Sequence, residues 1–158
     1  MTARMLSITA IALWLVTIAV AAFFFVRGQT QLAPDGRTTV LLGSDERNLV
    51  LTEMRGMLET VQIVVDGVKE GDMKQVAQAA RASGMAAAAD VNPALMAKLP
   101  LEFKQLGLRV HKRFDEIATA ADSGASRMQL LATLSEQLSA CVACHASYRF
   151  DAVTPATK

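Results

Sequence analysis

The chain has 158 residues, a formal net charge of +1 and a hydrophobic fraction of 52%. This length allows one domain, and the near-neutral charge gives no reason to expect nucleic acid or another polyanion as a partner. The hydrophobic fraction is high for a soluble protein and aromatic residues make up only 5%, so a membrane segment and a helical fold are expected.

The first predicted element is an apolar run from Leu6 to Val26, which is interrupted only by weakly polar residues. A helix over this run covers the roughly 30 Å hydrocarbon core of a bilayer. We expect residues 1–27 to form an uncleaved, single-pass membrane anchor. The alternative is a signal peptide cleaved at the Ala-Val-Ala of 19–21, which would leave three phenylalanines close to the mature N-terminus. Arginines flank the run on both sides, so charge leaves its orientation open.

The residues that follow the anchor, 28–43, contain the turn sequence Pro-Asp-Gly at 34–36 and are predicted to be a linker. The apolar residues at 40–42 can pack on the domain. Residues 44–150 are predicted to be the folded domain, and 151–158 a frayed tail.

Four amphipathic helices are predicted within the domain from helical spacing of apolar residues and from capping signals. The first helix runs from Ser44 to Gly71, and the second from Met73 to a point between Ala89 and Pro93. The third runs from Pro100 to the break at Asp122-Ser123-Gly124, and the fourth begins at Ser126 (or Gly124) and ends at Tyr148. The apolar stripe of the first of them is Leu51, Met54, Leu58, Val61, Val65 and Val68. Four such helices with short connections indicate an all-α fold, an antiparallel four-helix bundle with one N-terminal transmembrane helix.

The motif that carries chemistry is Cys141 and Cys144 followed directly by His145, which is the C-x-x-C-H pattern of haem attachment. On a helix these positions share one face, so two thiols can add to the two haem vinyl groups while the imidazole reaches the iron. A zinc site needs four ligands, and the sequence has one further histidine, His111. A thioredoxin-like centre needs the motif at the start of a helix after a strand. We therefore expect one covalent haem c with His145 as the iron ligand.

The motif continues into Tyr148 and Arg149, and here the segment 44–150 resembles the cytochrome c′ family and its low-spin, methionine-ligated relatives. The resemblance implies that Tyr148 packs near the proximal histidine and that Arg149 lies close to His145 and the haem propionates. The alternatives are a core position for Tyr148 and a solvated charge for Arg149.

The other side of the iron decides the function. In the family an arginine early in the first helix is followed four residues later by the distal residue, and Arg47 and Leu51 match this pattern. Leu51 over the iron would leave the haem five-coordinate, whereas Met54, on the same face, could be the sixth ligand, as in the low-spin relatives. Met57 points away from this face and is the weaker candidate. His111 is a ligand, a hydrogen-bond donor to a bound ligand, or a surface histidine.

Two functions follow from these alternatives: a membrane-anchored electron carrier, or a five-coordinate cytochrome that binds or senses nitric oxide or carbon monoxide. A purely accessory subunit is a third and weaker reading. Covalent haem attachment implies an inner-membrane protein with its C-terminal domain in the periplasm. The expected partners are the membrane and a redox protein or respiratory complex, and the resemblance allows a homodimer. No catalytic triad or phosphate loop is found in the sequence, so an enzyme is not predicted.

Overall fold

The structure, a computed structural model, describes residues 3–89 and 91–153 and is mostly helical in that part. The helices are α1 Ala3–Arg27, α2 Ser44–Glu70, α3 Met73–Ala82, α4 Pro93–Lys98, α5 Leu101–Asp122 and α6 Arg127–Ser147. The strands are β1 Thr30–Leu32, β2 Thr38–Leu42 and β3 Tyr148–Ala152. Most of the predicted tail, residues 154–158, lies outside the described residues.

Helix α1 is long and apolar enough to span a membrane. Its segment Arg4–Arg27 has 24 residues and a mean hydropathy of 2.5, and none of its most apolar window is buried against the rest of the chain. The helix ends at Gly28, which has a φ of +63°. This left-handed conformation is the usual end of a helix and favours glycine.

Helices α2, α3, α5 and α6 share one apolar core. Its buried members are Val64, Val68, Val76, Ala77, Ala80, Phe114, Ile117, Ala118, Ala121, Leu130 and Leu134. Small residues bring α2 and α3 close together, because a Cβ atom on Gly67 would lie 2.8 Å from Cγ2 of Val76. Buried alanines of α3 and α5 likewise allow these two helices to pack close together.

Most predicted helix ends are confirmed by their caps. Gly71 ends α2 with a φ of +83°, and the Asp72 side chain accepts a hydrogen bond from the Gln75 amide at 2.9 Å to begin α3. Ser126 is the N-cap of α6, which confirms one of the two predicted starts of this helix. The predicted cap Ser44 is wrong by one residue, because Gly43 is the N-cap of α2.

The second predicted helix is too long. Helix α3 ends at Ala82, because the chain turns at Gly84 to pack against Asp115 of α5. The Asp115 carboxylate accepts a hydrogen bond from the Met85 amide at 2.9 Å. A short helix that was not predicted, α4, follows, with the Asn92 side chain accepting from the Ala94 amide.

A three-stranded sheet was not predicted either. Strand β2 pairs antiparallel with β1 and parallel with β3, so the segment 28–43 folds onto the domain as two strands. The expected packing of 40–42 is confirmed, since Val40 and Leu42 are fully buried. The sequence signal for a linker was misleading because β3, the partner of β2, lies more than 100 residues away along the chain.

The apolar stripe predicted for α2 is partly wrong. Leu58 is 67% exposed and Val65 is 41% exposed, whereas Val64 and Val68 are buried. Helices α3, α5 and α6 meet the side of α2 that carries Val64 and Val68, whereas the exposed Leu58 lines a cavity that is described below.

Candidate functional site

The C-x-x-C-H motif lies on the last two turns of α6. The helix ends directly after it, and the Tyr148 amide donates to the Cys144 carbonyl oxygen before the chain enters β3. Cys141 and Cys144 are half-buried free thiols and His145 is exposed. The helical spacing predicted for the motif is therefore present, with all three side chains lining the same cavity.

This cavity, called the apolar cavity below, has a volume of about 490 Å³. Its walls come from α2, α4, α5 and α6, with apolar side chains that include Val50, Met57, Leu95, Leu99, Leu106, Val110, Phe114 and Leu138. Its volume lies in the range of small-molecule and cofactor sites. A planar, mostly apolar group attached to α6 could be buried here.

A second cavity of about 280 Å³ adjoins the first and is lined by three arginines, Arg37, Arg47 and Arg149. It is called the arginine cavity below. The two cavities have five lining residues in common: Leu51, Met54, Phe103, Cys144 and His145. The site therefore has one apolar part and one part lined by three arginines and Asp151, and His145 lines both.

The arginines are held by short contacts. Arg37 Nη2 lies 2.7 Å from the Asp35 carboxylate, and its Nη1 donates to the His145 carbonyl oxygen at 3.4 Å. Arg149 pairs with Asp151 at 2.8 Å. Arg47 Nε instead donates to a backbone carbonyl. The hydrogen bonds from Arg37 hold the pKa of the Asp35 carboxyl below its usual value, so Asp35 stays charged and orients the guanidinium.

An aromatic cluster supports the wall between the two cavities. The Phe103 ring makes edge-to-face contacts with Tyr148 and Phe150, at centroid distances of 5.4 and 5.3 Å. Tyr148 also donates from its hydroxyl to the Glu102 carboxylate at 3.1 Å. Burial, together with this hydrogen bond, raises the pKa of Tyr148. Tyr148 thus packs beside the motif, and β3 is held against α5.

The residues expected opposite His145 are brought to it. Leu51 and Met54, from α2, line both cavities together with His145. Arg47, one turn earlier on α2, lines the arginine cavity. Met57 lines the apolar cavity but not the arginine cavity. A group bound in these cavities beside His145 could therefore contact Leu51 and Met54 as well.

His111 is buried, at 6% exposure, so the surface alternative for this residue is wrong. Its Nδ1 lies 2.9 Å from the Ser83 carbonyl oxygen, which can only accept, so Nδ1 carries a proton. The other ring nitrogen lies 3.5 Å from the Glu53 carboxylate. His111 lines the apolar cavity together with His145, but it does not line the arginine cavity.

The donor set and the shape of the site fit a haem c. A haem has an apolar macrocycle, two vinyl groups and two carboxylates, which match the apolar cavity, the two thiols and the arginines respectively. Burial raises the pKa of both thiols, so the unattached cysteines are protonated at neutral pH. Sequence reasoning missed Arg37 and Phe103, because neither carries a local signal that places it beside a motif so distant in the chain.

No protein-family model, curated protein or solved structure matches this chain. Within residues 3–89 and 91–153, no cluster of three or more histidine, cysteine or acidic side chains could hold a metal ion.

Proposed function

We propose that this chain is a membrane-anchored, monohaem c-type cytochrome that transfers electrons in the periplasm. One observation carries the proposal: the C-x-x-C-H motif of α6 borders an apolar cavity that adjoins a cavity lined by three arginines. Helix α1, which is long and apolar enough to span a membrane, supports the anchor. The shared core of α2, α3, α5 and α6 supports an antiparallel four-helix bundle of the cytochrome c′ kind.

In this proposal Cys141 and Cys144 hold the haem by thioether bonds, and His145 is the proximal iron ligand. When bound, the haem supplies a one-electron iron couple. The apolar side chains of the larger cavity would exclude water, and Arg37, Arg47 and Arg149 would donate hydrogen bonds to the propionates. The chain thus provides attachment, orientation and charge compensation.

Met54 is proposed as the sixth ligand, since it lines both cavities with His145. A thioether on the iron raises the reduction potential and closes the position to added ligands, which suits electron transfer. A redox protein or respiratory complex in the same membrane is the proposed partner, and the tether raises its effective concentration.

Gas binding is the second candidate function, and the position of Leu51 favours it. Leu51 lines the same two cavities as Met54, and a leucine cannot ligate iron. If Leu51 covers the iron, the sixth position stays open to nitric oxide or carbon monoxide.

Optical spectra of the purified protein, oxidised, reduced, and reduced under carbon monoxide, test both functions. A low-spin reduced spectrum indifferent to carbon monoxide supports electron transfer, whereas a high-spin spectrum that shifts with carbon monoxide supports gas binding. In the His145→Ala variant, stable iron ligation should be lost while the thioether-bound porphyrin remains. A protein without covalent haem after production with a haem-attachment system would overturn the proposal.

A further inference from the structure

The connection between α1 and the domain is a backbone-to-backbone contact. The Gln29 amide donates to the Lys98 carbonyl oxygen at 2.7 Å, directly after Gly28. A Cβ atom on Gly28 would lie 2.5 Å from that same oxygen and 2.6 Å from the Pro100 nitrogen. Only glycine leaves room for this contact, and its positive φ directs the chain into it. The end of α1 is therefore held against the segment that joins α4 to α5.

Lys104 of α5 makes a second connection to α1. Its Nζ donates to the Phe25 carbonyl oxygen at 3.1 Å and lies 3.7 Å from the centre of the Phe25 ring. The last carbonyls of a helix lack donors within the helix and form the negative end of its dipole, so an ammonium group is stabilised there. Lys104 is only 6% exposed, and its desolvation lowers its pKa. This carbonyl and this ring compensate a lysine that would otherwise be costly to bury.

The same lysine forms part of the wall of the apolar cavity. Lys104, Gly107 and Leu108 line it from α5, and Leu99 lines it from the segment before α5. Lys104 therefore contacts the end of α1 and also lines the apolar cavity.

The depth of Phe25 follows from the length of the helix. The 24-residue segment Arg4–Arg27 is about 36 Å long, against roughly 30 Å of hydrocarbon. Phe25 is two residues from the charged end of this segment, so its carbonyl lies at the edge of the hydrocarbon core. The headgroup layer outside this edge is only about 5–7 Å thick.

We propose that the contacts of Gly28 and Lys104 hold the domain in one orientation on the bilayer, with the first turns of α5 in the phospholipid headgroup layer. The proposal rests on the membrane anchor of the proposed function but not on its haem. It deepens that function, because a redox partner must then reach the cofactor cavity at the membrane surface rather than in the bulk periplasm.

Hydrogen–deuterium exchange of the full-length protein in phosphatidylcholine–phosphatidylglycerol vesicles tests the rigid contact. The Gln29 amide should exchange slowly, and Gly28→Ala should accelerate exchange across 28–32 and 98–104 by about tenfold or more. Gly124→Ala, at the α5–α6 turn, is the matched control, because Gly124 also has a positive φ but nothing lies within 4 Å of the added Cβ. Equal exchange in Gly28→Ala and wild type, or fast exchange at Gln29 in wild type, overturns the proposal.

A flexible ten-residue Gly-Ser insertion between Arg27 and Gly28 tests the contact with headgroups. Amides of 101–108 should exchange faster in vesicles with this insertion, whereas the same insertion after Gly124, at the exposed α5–α6 turn, should leave them unchanged. Unchanged exchange in both variants, or extraction of the wild-type chain from vesicles by alkaline carbonate, overturns the proposal. None of these measurements uses the haem. A chain that carries no haem would therefore contradict the proposed function, but the orientation of the domain on the bilayer could still be tested with it.

Discussion

Arg37 donates a hydrogen bond from Nη1 to the backbone carbonyl of His145, although 108 residues separate them in the chain. The contact exists because β2, which begins one residue after Arg37, pairs in parallel with β3, which begins three residues after His145. The segment between the membrane helix and the helical core thereby supplies a charged residue to the candidate haem site.

Arg37→Ala is predicted to lower the reduction potential of the haem protein. Removing a positive charge near the site stabilises the ferric state, and we expect a fall of about 30–60 mV, where 59 mV is tenfold for one electron. Potentiometric titration of the wild-type and variant proteins measures this fall in reduction potential. Arg109→Ala removes an exposed arginine that lines neither cavity and should leave the potential unchanged. Equal potentials in both variants would place Arg37 outside the electrostatic environment of the haem.

The thiols of a chain produced without haem are predicted to react slowly. Burial raises the pKa of Cys141 and of Cys144 above the ordinary value of 9.0, so the reactive thiolate forms only as the pH rises beyond that value. Iodoacetamide labelling at pH 8 should therefore be slower in the folded chain than in urea, and it should accelerate with rising pH. Labelling as fast in the folded chain as in urea would contradict the burial of these thiols.

Met54→Ala is predicted to convert a low-spin haem spectrum to a high-spin one that responds to carbon monoxide. Loss of the thioether ligand opens the sixth position and lowers the reduction potential. Met57→Ala is the control, because Met57 lines only the apolar cavity. A spectrum unchanged by Met54→Ala but converted by His111→Ala would assign the ligand to His111 instead.

Phe103→Ala is predicted to destabilise the domain at its sheet. Phe103 is 8% exposed and joins α5 to Tyr148 and Phe150 of β3. Truncation of a buried phenylalanine costs about 3 kcal/mol or more, whereas Phe103→Leu, which keeps most of the volume, should cost about 1 kcal/mol. Urea denaturation in detergent, followed by circular dichroism, measures both. Equal stability of the alanine and leucine variants would show that the aromatic cluster does not hold β3.

Local signals in the sequence were enough to predict the main helices and most of their ends, but not the end of α3 at Ala82 or the N-cap of α2 at Gly43. Gly71, Asp72 and Ser126 cap helices where the sequence placed them, because capping depends on neighbouring backbone groups. The same holds for the motif of α6, since the spacing of Cys141, Cys144 and His145 on one helix is a property of helix geometry alone.

The sheet and the burial of individual side chains were not predictable in this way. Strand β2 lies between β1 and β3, and its pairing with β3 depends on how the helices between them in the chain pack. The burial of His111 against Ser83, and the exposure of Leu58, depend on which neighbouring helix covers each face.

The sequence by itself determined the apolar helix, the number and order of the main helices of the domain, and the C-x-x-C-H motif, because each is encoded within a few turns of chain. Only the tertiary structure brought Arg37 to His145, placed Leu51 and Met54 in the two cavities that His145 lines, and joined Lys104 to the end of α1. These contacts connect residues far apart in sequence, and their free energy is realised only when the whole chain packs.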